Sequence, residues 1–171
     1  QTETKQLIEE FQTINPLVKV NYIDPLADET NRENIVRELT KTGLEPYVNS
    51  KKLNGKITQE LLFPWGFASY KERTVKIPLF KKSVIEDLQT QIANSIQLLE
   101  YNFADAFNQL TKEKSKAIAV LKGNGQLNDI NIAGFLQTIK PYYNLAQFTL
   151  DSVATNPQST LNKIKSYDLI I

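Results

Sequence analysis

The sequence predicts an α/β protein in two parts, and three observations carry that reading. Ser83–Thr111 runs for 29 residues without Gly or Pro, and its apolar positions fall at 85, 88, 92, 96, 99, 103, 106 and 110. Those intervals of three and four make one stripe of a helix. Ahead of that helix, helical and β-type patterns alternate and then give way to consecutive β-type runs. Beyond it, short β-type runs alternate with short helical ones, the opening of an open parallel sheet. The expected division is residues 1–111, ending in the long helix, and residues 112–171.

Taken in order, residues 1–14 carry Leu7, Ile8, Phe11 and Ile14 on one helical face, and Asn15-Pro16 stops them. Leu17–Ile23 alternates and is β-rich, which predicts a strand ended by Asp24-Pro25. Asp28 or Thr30 opens a second helix with Ile35, Val36 and Leu39 inward, ending at Gly43. Glu45–Ser50 reads as a short strand, and Asn54-Gly55 is a strong hairpin turn. Ile57–Tyr70 reads as extended, Lys71-Glu72-Arg73 as a turn, and Thr74–Phe80 as the returning strand. In the long helix, Ser83 followed by Glu86 is a capping box, and the whole would reach about 42 Å.

One more strand ahead of Gln1 would make this order thioredoxin-like, with helices on both faces of a sheet. A thioredoxin needs a redox Cys-x-x-Cys, and the chain has no Cys.

In the second part, Ala117–Gly123 is a fully apolar strand followed by an Asn124-Gly125 turn. Asn128 or Asp129 caps a helix with Ile132, Phe135, Leu136 and Ile139 inward, stopped before Pro141. Leu145–Leu150 is a strand. Asn156 caps a helix with Pro157 at its first position and Leu161 and Ile164 inward. Asp168–Ile171 begins another strand. Three strands and two helices cover a parallel sheet only in part. The expectation is a fragment of a longer protein, and the chain also carries no Met.

Composition narrows the chemistry. The chain has 171 residues, is 41% hydrophobic and 23% charged, and has a net charge of +1. These values are ordinary for a globular protein and give no field that would gather nucleic acid. With no Cys and no His, thiol chemistry, disulfides, Cys/His zinc sites and His-based nucleophilic dyads are all excluded. No motif calls for a cofactor. No apolar run approaches the ~20 residues that span a bilayer.

Two constellations stand out as candidate sites. Lys122-Gly123-Asn124-Gly125-Gln126 follows a strand and precedes a helix, with Asn128 and Asp129 at the helix start. Backbone N–H groups there can hold an anion or a ligand oxygen. The run is neither GxxxxGK[ST] nor a complete GxGxxG, so a plain turn is the simpler reading and a ligand crevice the lesser one. Phe63-Pro64-Trp65-Gly66-Phe67 holds the only Trp. In a strand, Phe63, Trp65 and Phe67 share one face, either buried under a helix or partly exposed for a partner protein or a sugar, and Pro64 favours an edge. Two lesser groups, Asp24/Asp28/Glu29 and Asp151-Ser152 with Thr155-Asn156, read more simply as caps and loops than as ligands.

Three stretches, ITQELLFPWGFASYKERTVKIPL, NSIQLLEYNFADAF and AIAVLKGNGQLNDINIAGFL continuing to YYNLAQFTLDSVATNP, resemble the GldG family. That family is a gliding-motility-associated component of a bacterial ABC transporter. The resemblance spans nearly the whole chain. It implies a membrane-anchored protein of Bacteroidetes-type bacteria, whose extracytoplasmic, periplasmic domains work beside permease and ATPase subunits and other gliding-motility proteins. Its anchoring segments lie outside this piece. The second part is also similar to domains of intraflagellar-transport proteins, where the role is assembly. The resemblance supplies no catalytic motif, so no site residue is carried over. The expected function is therefore non-catalytic, in subunit interaction or substrate capture. The competing reading is a small-ligand or enzymatic α/β domain, of glutamine-amidotransferase-like architecture, with a crevice at Gly123–Asp129. Such amidotransferases use a Cys nucleophile and a His base, and neither residue is present.

Overall fold

The computed structural model describes residues 2–53, 56–123, 125–151, 153 and 155–171. It is mixed α/β and divides into two compact units, Gln1–Leu110 and Thr111–Ile171. The first unit holds α1 (Thr2–Ile14), a 3-10 turn (Glu29–Asn31), α2 (Arg32–Lys41), β1 (Tyr47–Leu53), β2 (Lys56–Leu62), β3 (Trp65–Tyr70), β4 (Arg73–Pro78) and most of α3 (Leu88–Thr111). The second holds β5 (Ala117–Lys122), α4 (Asp129–Ile139), β6 (Asn144–Thr149), α5 (Pro157–Ile164) and β7 (Leu169–Ile170).

The core of the first unit lies between two helices and one hairpin. Ile77, Phe103 and Ala106 are buried there, with Leu7, Ile8, Phe11, Ala68, Val75, Leu79 and Phe107 packed around them. Phe11 lies 5.8 Å from Phe103 and 5.3 Å from Phe107, ring centroid to centroid, so α1 and α3 meet through aromatic edges. Such pairs add about 0.5–1.5 kcal/mol each beyond area burial. A lone two-stranded hairpin is marginal in water. Here β3–β4 is held because one face carries Ala68, Val75 and Ile77 onto the helices. Arg73 donates to the Leu110 carbonyl at 3.3 Å, placing a cation at the end of α3 where the helix dipole favours it.

Several expectations fail in this unit. Residues 17–23 join no ladder among the described residues. Alternation makes a strand only beside a strand edge, and this segment takes up local bonds instead. Val18 N–H donates to the Asn15 carbonyl, and Gln12 Nε2 to the Val18 carbonyl. Leu17, Tyr22 and Ile23 face solvent, as does Ile14. The run 57–70 is not one extended strand. It breaks at Phe63-Pro64 into β2 and β3, which belong to separate two-stranded sheets. Trp65 N–H donates to the Phe63 carbonyl at 2.9 Å, a tight turn at the break. The hairpin expected at Asn54-Gly55 is present in its ladder, with Leu53 paired to Lys56, although those two turn residues lie outside the described set.

Helix α2 ends as its sequence asks. Gly43 has φ +78°, and Leu44 N–H reaches back to the Leu39 carbonyl, closing the C-terminus and burying Leu44. At the other end, Asp28 accepts from Thr30 N–H at 3.0 Å and Thr30 Oγ1 at 2.6 Å. These bonds hold its carboxyl below the usual carboxylate range, the hydroxyl bond having the larger effect.

Helix α3 is shorter than expected, 24 residues instead of 29. Asp87, not Ser83, caps it, accepting from Thr90 N–H at 3.0 Å and Thr90 Oγ1 at 2.8 Å. Those bonds, the backbone one foremost, lower the Asp87 pKa. Ser83 Oγ accepts from the Ile85 and Glu86 amides and makes only a local turn. Its buried face is Gln91, Ser95, Leu99, Phe103, Ala106 and Leu110, so the expected stripe holds from Leu99 onward and turns away before it.

The second unit is a parallel three-stranded sheet in the order β6-β5-β7. Its middle strand is buried on both faces, with Ala119 at 0% exposure and Ile118 and Val120 nearly so, which explains the unbroken apolar run. The connections β5-α4-β6 and β6-α5-β7 travel to opposite sides of β5, so right-handed crossovers put α4 and α5 on opposite faces. Asn156 Oδ1 accepts from Ser159 N–H at 3.1 Å with Pro157 next, as the sequence indicates. Phe135 and Leu161, expected inward, are exposed. Asp168 ties the sheet's amino end together: it pairs with Lys116 at 2.7 Å and accepts from Ala117 N–H at 2.8 Å. The Lys116 bond is the main reason its carboxyl lies low, and the same bond raises the Lys116 ammonium.

Candidate functional sites

The β5–α4 loop lies at the carboxyl end of the middle strand. The strand order 2-1-3 reverses direction there, between β5 and β7, and open α/β sheets bind ligands in the crevice outside such a reversal. Gly123 and Gly125 have φ +89° and +80°, values that suit glycine and shape the turn. A Cβ on Gly123 would meet Asp151 Oδ1 at 3.4 Å, so the carboxyl end of β6 also reaches this loop. Asn124 lies outside the described residues.

The remaining members of the predicted constellation are partly committed. Asn128 occupies the N-cap position of α4 without a side-chain cap bond, and its carbonyl accepts from Asn131 N–H. Asp129 pairs with Lys122, joining the first turn of α4 to the end of β5. An open cleft of about 400 Å³ runs between α4 and the sheet, lined in part by Asp129, Ala133, Gln137, Lys140, Ala146 and Gln147. Gly123, Gly125 and Asn128 do not line it. Of the described members of the predicted group, the structure therefore brings Asp129 alone to the cleft.

The aromatic run is divided rather than aligned. Phe63 precedes the break and is half-buried, while Trp65 and Phe67 lie on β3. Trp65 pairs with Pro78 and Phe67 with Lys76, on the hairpin face opposite Ile77. The end of α2 approaches that face: Trp65 Nε1 donates to the Glu45 carbonyl at 3.0 Å, and Lys76 Nζ donates to the Thr42 carbonyl. Trp65 is thus fixed and half-buried, whereas Phe67 is 55% exposed. Tyr70, at the hairpin tip, is exposed as well.

Residues 1–69 match the family model of a domain of unknown function, DUF7088. That match runs from α1 into β3 and stops short of β4 and α3. No curated protein and no solved structure matches the chain.

A third surface escaped the sequence reading. The segment Lys81–Glu86 is strapped along the first turns of α3 by two nearly buried polar side chains. Lys81 N–H donates to Ser95 Oγ at 2.9 Å, and Ser83 N–H to Gln91 Oε1 at 3.2 Å. Gln91 Nε2 donates in turn to the Glu86 carbonyl at 2.6 Å. The strap occupies the 91/95 face and leaves Leu88, Ile92 and Ile96 about two-fifths exposed. Val84 and Ile85 are 95% and 93% exposed. The available signal was Gln91 and Ser95 at a four-residue spacing, one helical turn apart.

Among the described residues no three His, Cys, Asp or Glu side chains converge on a metal-sized site. No helix among them is long and apolar enough to cross a membrane.

Proposed function

We propose that this chain is a non-catalytic interaction or substrate-capture part of a gliding-motility-associated ABC transporter component of the GldG type. In this reading it stands on the periplasmic face of the inner membrane, anchored by segments outside residues 1–171. Its neighbours are the permease and ATPase subunits and other motility proteins, with no role for nucleic acid. The first unit is read as a thioredoxin-like derivative and the second as the start of a longer open sheet. The packing of α1 and α3 on one face of β3–β4, with the end of α2 on the other, supports the former. The order β6-β5-β7 supports the latter.

The observation that carries the proposal is the β3–β4 hairpin. It is anchored through Ile77 and Trp65, yet holds Phe67 and Tyr70 out to solvent. Exposed aromatics on a rigid base are what a docking surface uses. The test is co-purification of the intact parent with its permease and ATPase. Both subunits should be recovered, and Phe67→Ser should cut recovery at least ~10-fold with unchanged melting. Recovery of neither subunit would sink the transporter reading.

A second reading is favoured by the strand order alone. A small ligand would sit at the β5/β7 reversal against Gly123, Asn124, Gly125, Asn128 and Asp129. A rise of several degrees in melting with one class among sugars, nucleotides or divalent ions would support it.

A further inference from the structure

We infer that residues 17–23 and the outer edge of β3 are the two sides of a strand-accepting slot under α1, filled by an extended strand from the residues of the parent that lead into α1. The inference rests on the thioredoxin-like reading of the first unit and is independent of the transporter role. It uses the main chain of Phe67, not the ring invoked above.

The first argument is unpaired main chain. Val18 and Val20 are half-buried, while Leu17, Lys19 and Asn21 are exposed, the alternation of a strand. Val18 N–H and C=O are taken by Asn15 and Gln12. Among the described residues, the backbone N–H and C=O groups of residues 19–23 have no protein partner. A row of alternating donors and acceptors is matched by another extended backbone, which is how strands add to an edge.

The second argument is the edge on the other side. Leu79 N–H donates to the Pro64 carbonyl at 2.9 Å. Antiparallel alternation then makes Gly66–Ile77 and Ala68–Val75 the hydrogen-bonded pairs, and turns the N–H and C=O of Phe67 and Ser69 away from β4. The outward set on β4 includes Pro78, which has no N–H and whose carbonyl accepts from Asn102 Nδ2 at 2.8 Å. Of the two hairpin edges, β3 is therefore the one open to pairing. Helix α1 reaches both sides: Leu7, Ile8 and Phe11 pack with the hairpin residues, and Gln12 bonds to Val18. Among the described residues no ladder joins the two sides.

The third argument names the occupant. Gln12 Nε2 lies 3.1 Å from the Val18 carbonyl, and Lys5 Nζ lies 5.3 Å from the Tyr22 ring centroid. So α1 runs back alongside residues 17–23, antiparallel to them, with its first turns at the Tyr22 end. A strand that feeds into α1 must finish at that end and run parallel to 17–23, which completes a β-α-β unit. The lengths agree: α1 has 13 residues, about 20 Å, and seven extended residues cover about 23 Å. A strand that continues α1 backwards reaches the slot through a short connection, the usual way neighbouring elements are joined. Filling the slot joins 17–23 and β3–β4 into one sheet, so that a hairpin marginal by itself gains a neighbour.

The test compares hydrogen exchange in the intact parent with that in residues 1–171 alone. In the shorter chain the amides of residues 19–23, Phe67 and Ser69 should exchange nearly as fast as in an open coil. In the parent, Phe67, Ser69 and the alternate amides of 19–23 that face the slot should be slowed at least ~100-fold. Asn21→Cys, labelled with a benzophenone, identifies the occupant. On irradiation of the parent, the attached peptide should come from the residues just ahead of α1 in the same molecule. Residues 19–23 exchanging as fast in the parent as in the shorter chain would overturn the inference, as would attachment of the label to a second copy or to a transporter subunit. If Phe67 and Ser69 alone are slowed, the inference fails but a sheet built on the hairpin, and with it the thioredoxin-like reading, stands. If neither side is slowed, both fail.

Discussion

Ile77→Ala tests the packing of the first unit most directly. Ile77, on β4 of the hairpin, is 1% exposed and packs against Phe103 and Ala106 of α3. The substitution removes three carbon groups, worth about 0.8 kcal/mol each in transfer, or roughly 2.4 kcal/mol. A cavity term adds to this if the neighbours cannot close in. Across the hairpin the partner is Gly66, which has no side chain to move into the space. The expected loss is therefore about 3–4 kcal/mol, against about 0.5–1.5 kcal/mol for Ile77→Val. The single Trp makes the assay specific, because Trp65 adjoins the Gly66–Ile77 pair. Urea unfolding followed by indole fluorescence thus reports this unit. A loss below about 1 kcal/mol for the alanine variant would mean that Ile77 does not hold the hairpin against α3, and the packing argument would fail.

Four further expectations follow from local geometry. Lys71 has φ +54°, so Lys71→Gly should stabilise the first unit by roughly 0.5–1 kcal/mol in the same fluorescence assay, despite losing the contact of its ammonium with the Tyr70 ring. Gly66→Ala should be tolerated, since the added Cβ meets Ile77 Cβ at 3.6 Å and Leu79 Cδ2 at 3.8 Å; a large loss of stability would contradict that spacing. Ser95→Ala leaves the Lys81 amide without its acceptor and should cost about 1–3 kcal/mol while speeding hydrogen exchange at Lys81. For Asp168, the folded pKa lies below the unfolded one, so its stabilisation is full above the ordinary carboxylate value and lost as pH falls through the lowered one. Lys116 has the opposite sign: its share is full below the ordinary lysine value and lost as pH rises through the raised one. Asp168→Asn should flatten the acid limb of the second unit's melting curve against pH, and an unchanged slope would refute the pairing.

Much of the second unit was legible because its signals are local. The run Ala117–Leu121 is apolar at every position because β5 is covered on both faces, and Pro157 after Asn156 fixes where α5 starts. The first unit was less legible because its strands depend on neighbours far along the chain. Residues 17–23 alternate as a strand should, yet nothing in the segment specifies the edge it needs. Pro64 marked a place where pairing is difficult, and the structure uses it to end one hairpin and begin another. The aromatic run was legible as a group but not in its placement. The break at Pro64 sets Phe63 apart, and the bond to Glu45 holds Trp65 while Phe67 stays free of such an anchor.

The start of α3 shows why hydropathy alone misplaced a face. Read by side-chain polarity, 85, 88, 92 and 96 belong inside, and Gln91 and Ser95 outside. The chain from Lys81 to Glu86 runs back along the helix, and its backbone N–H and C=O groups need partners wherever they lose water. Aliphatic residues at 91 and 95 would leave those groups unpaired, at a cost of about 1–3 kcal/mol each. Glutamine and serine satisfy three of them instead. Once that face is given to the strap, geometry dictates that Leu88, Ile92 and Ile96 turn toward solvent. Polar residues are thus buried because backbone is buried beside them, and apolar residues are exposed because the helix has only one circumference to divide. An exposed apolar stripe of this origin is a fixed feature of the fold, which is why a covering partner is the natural question to put to it.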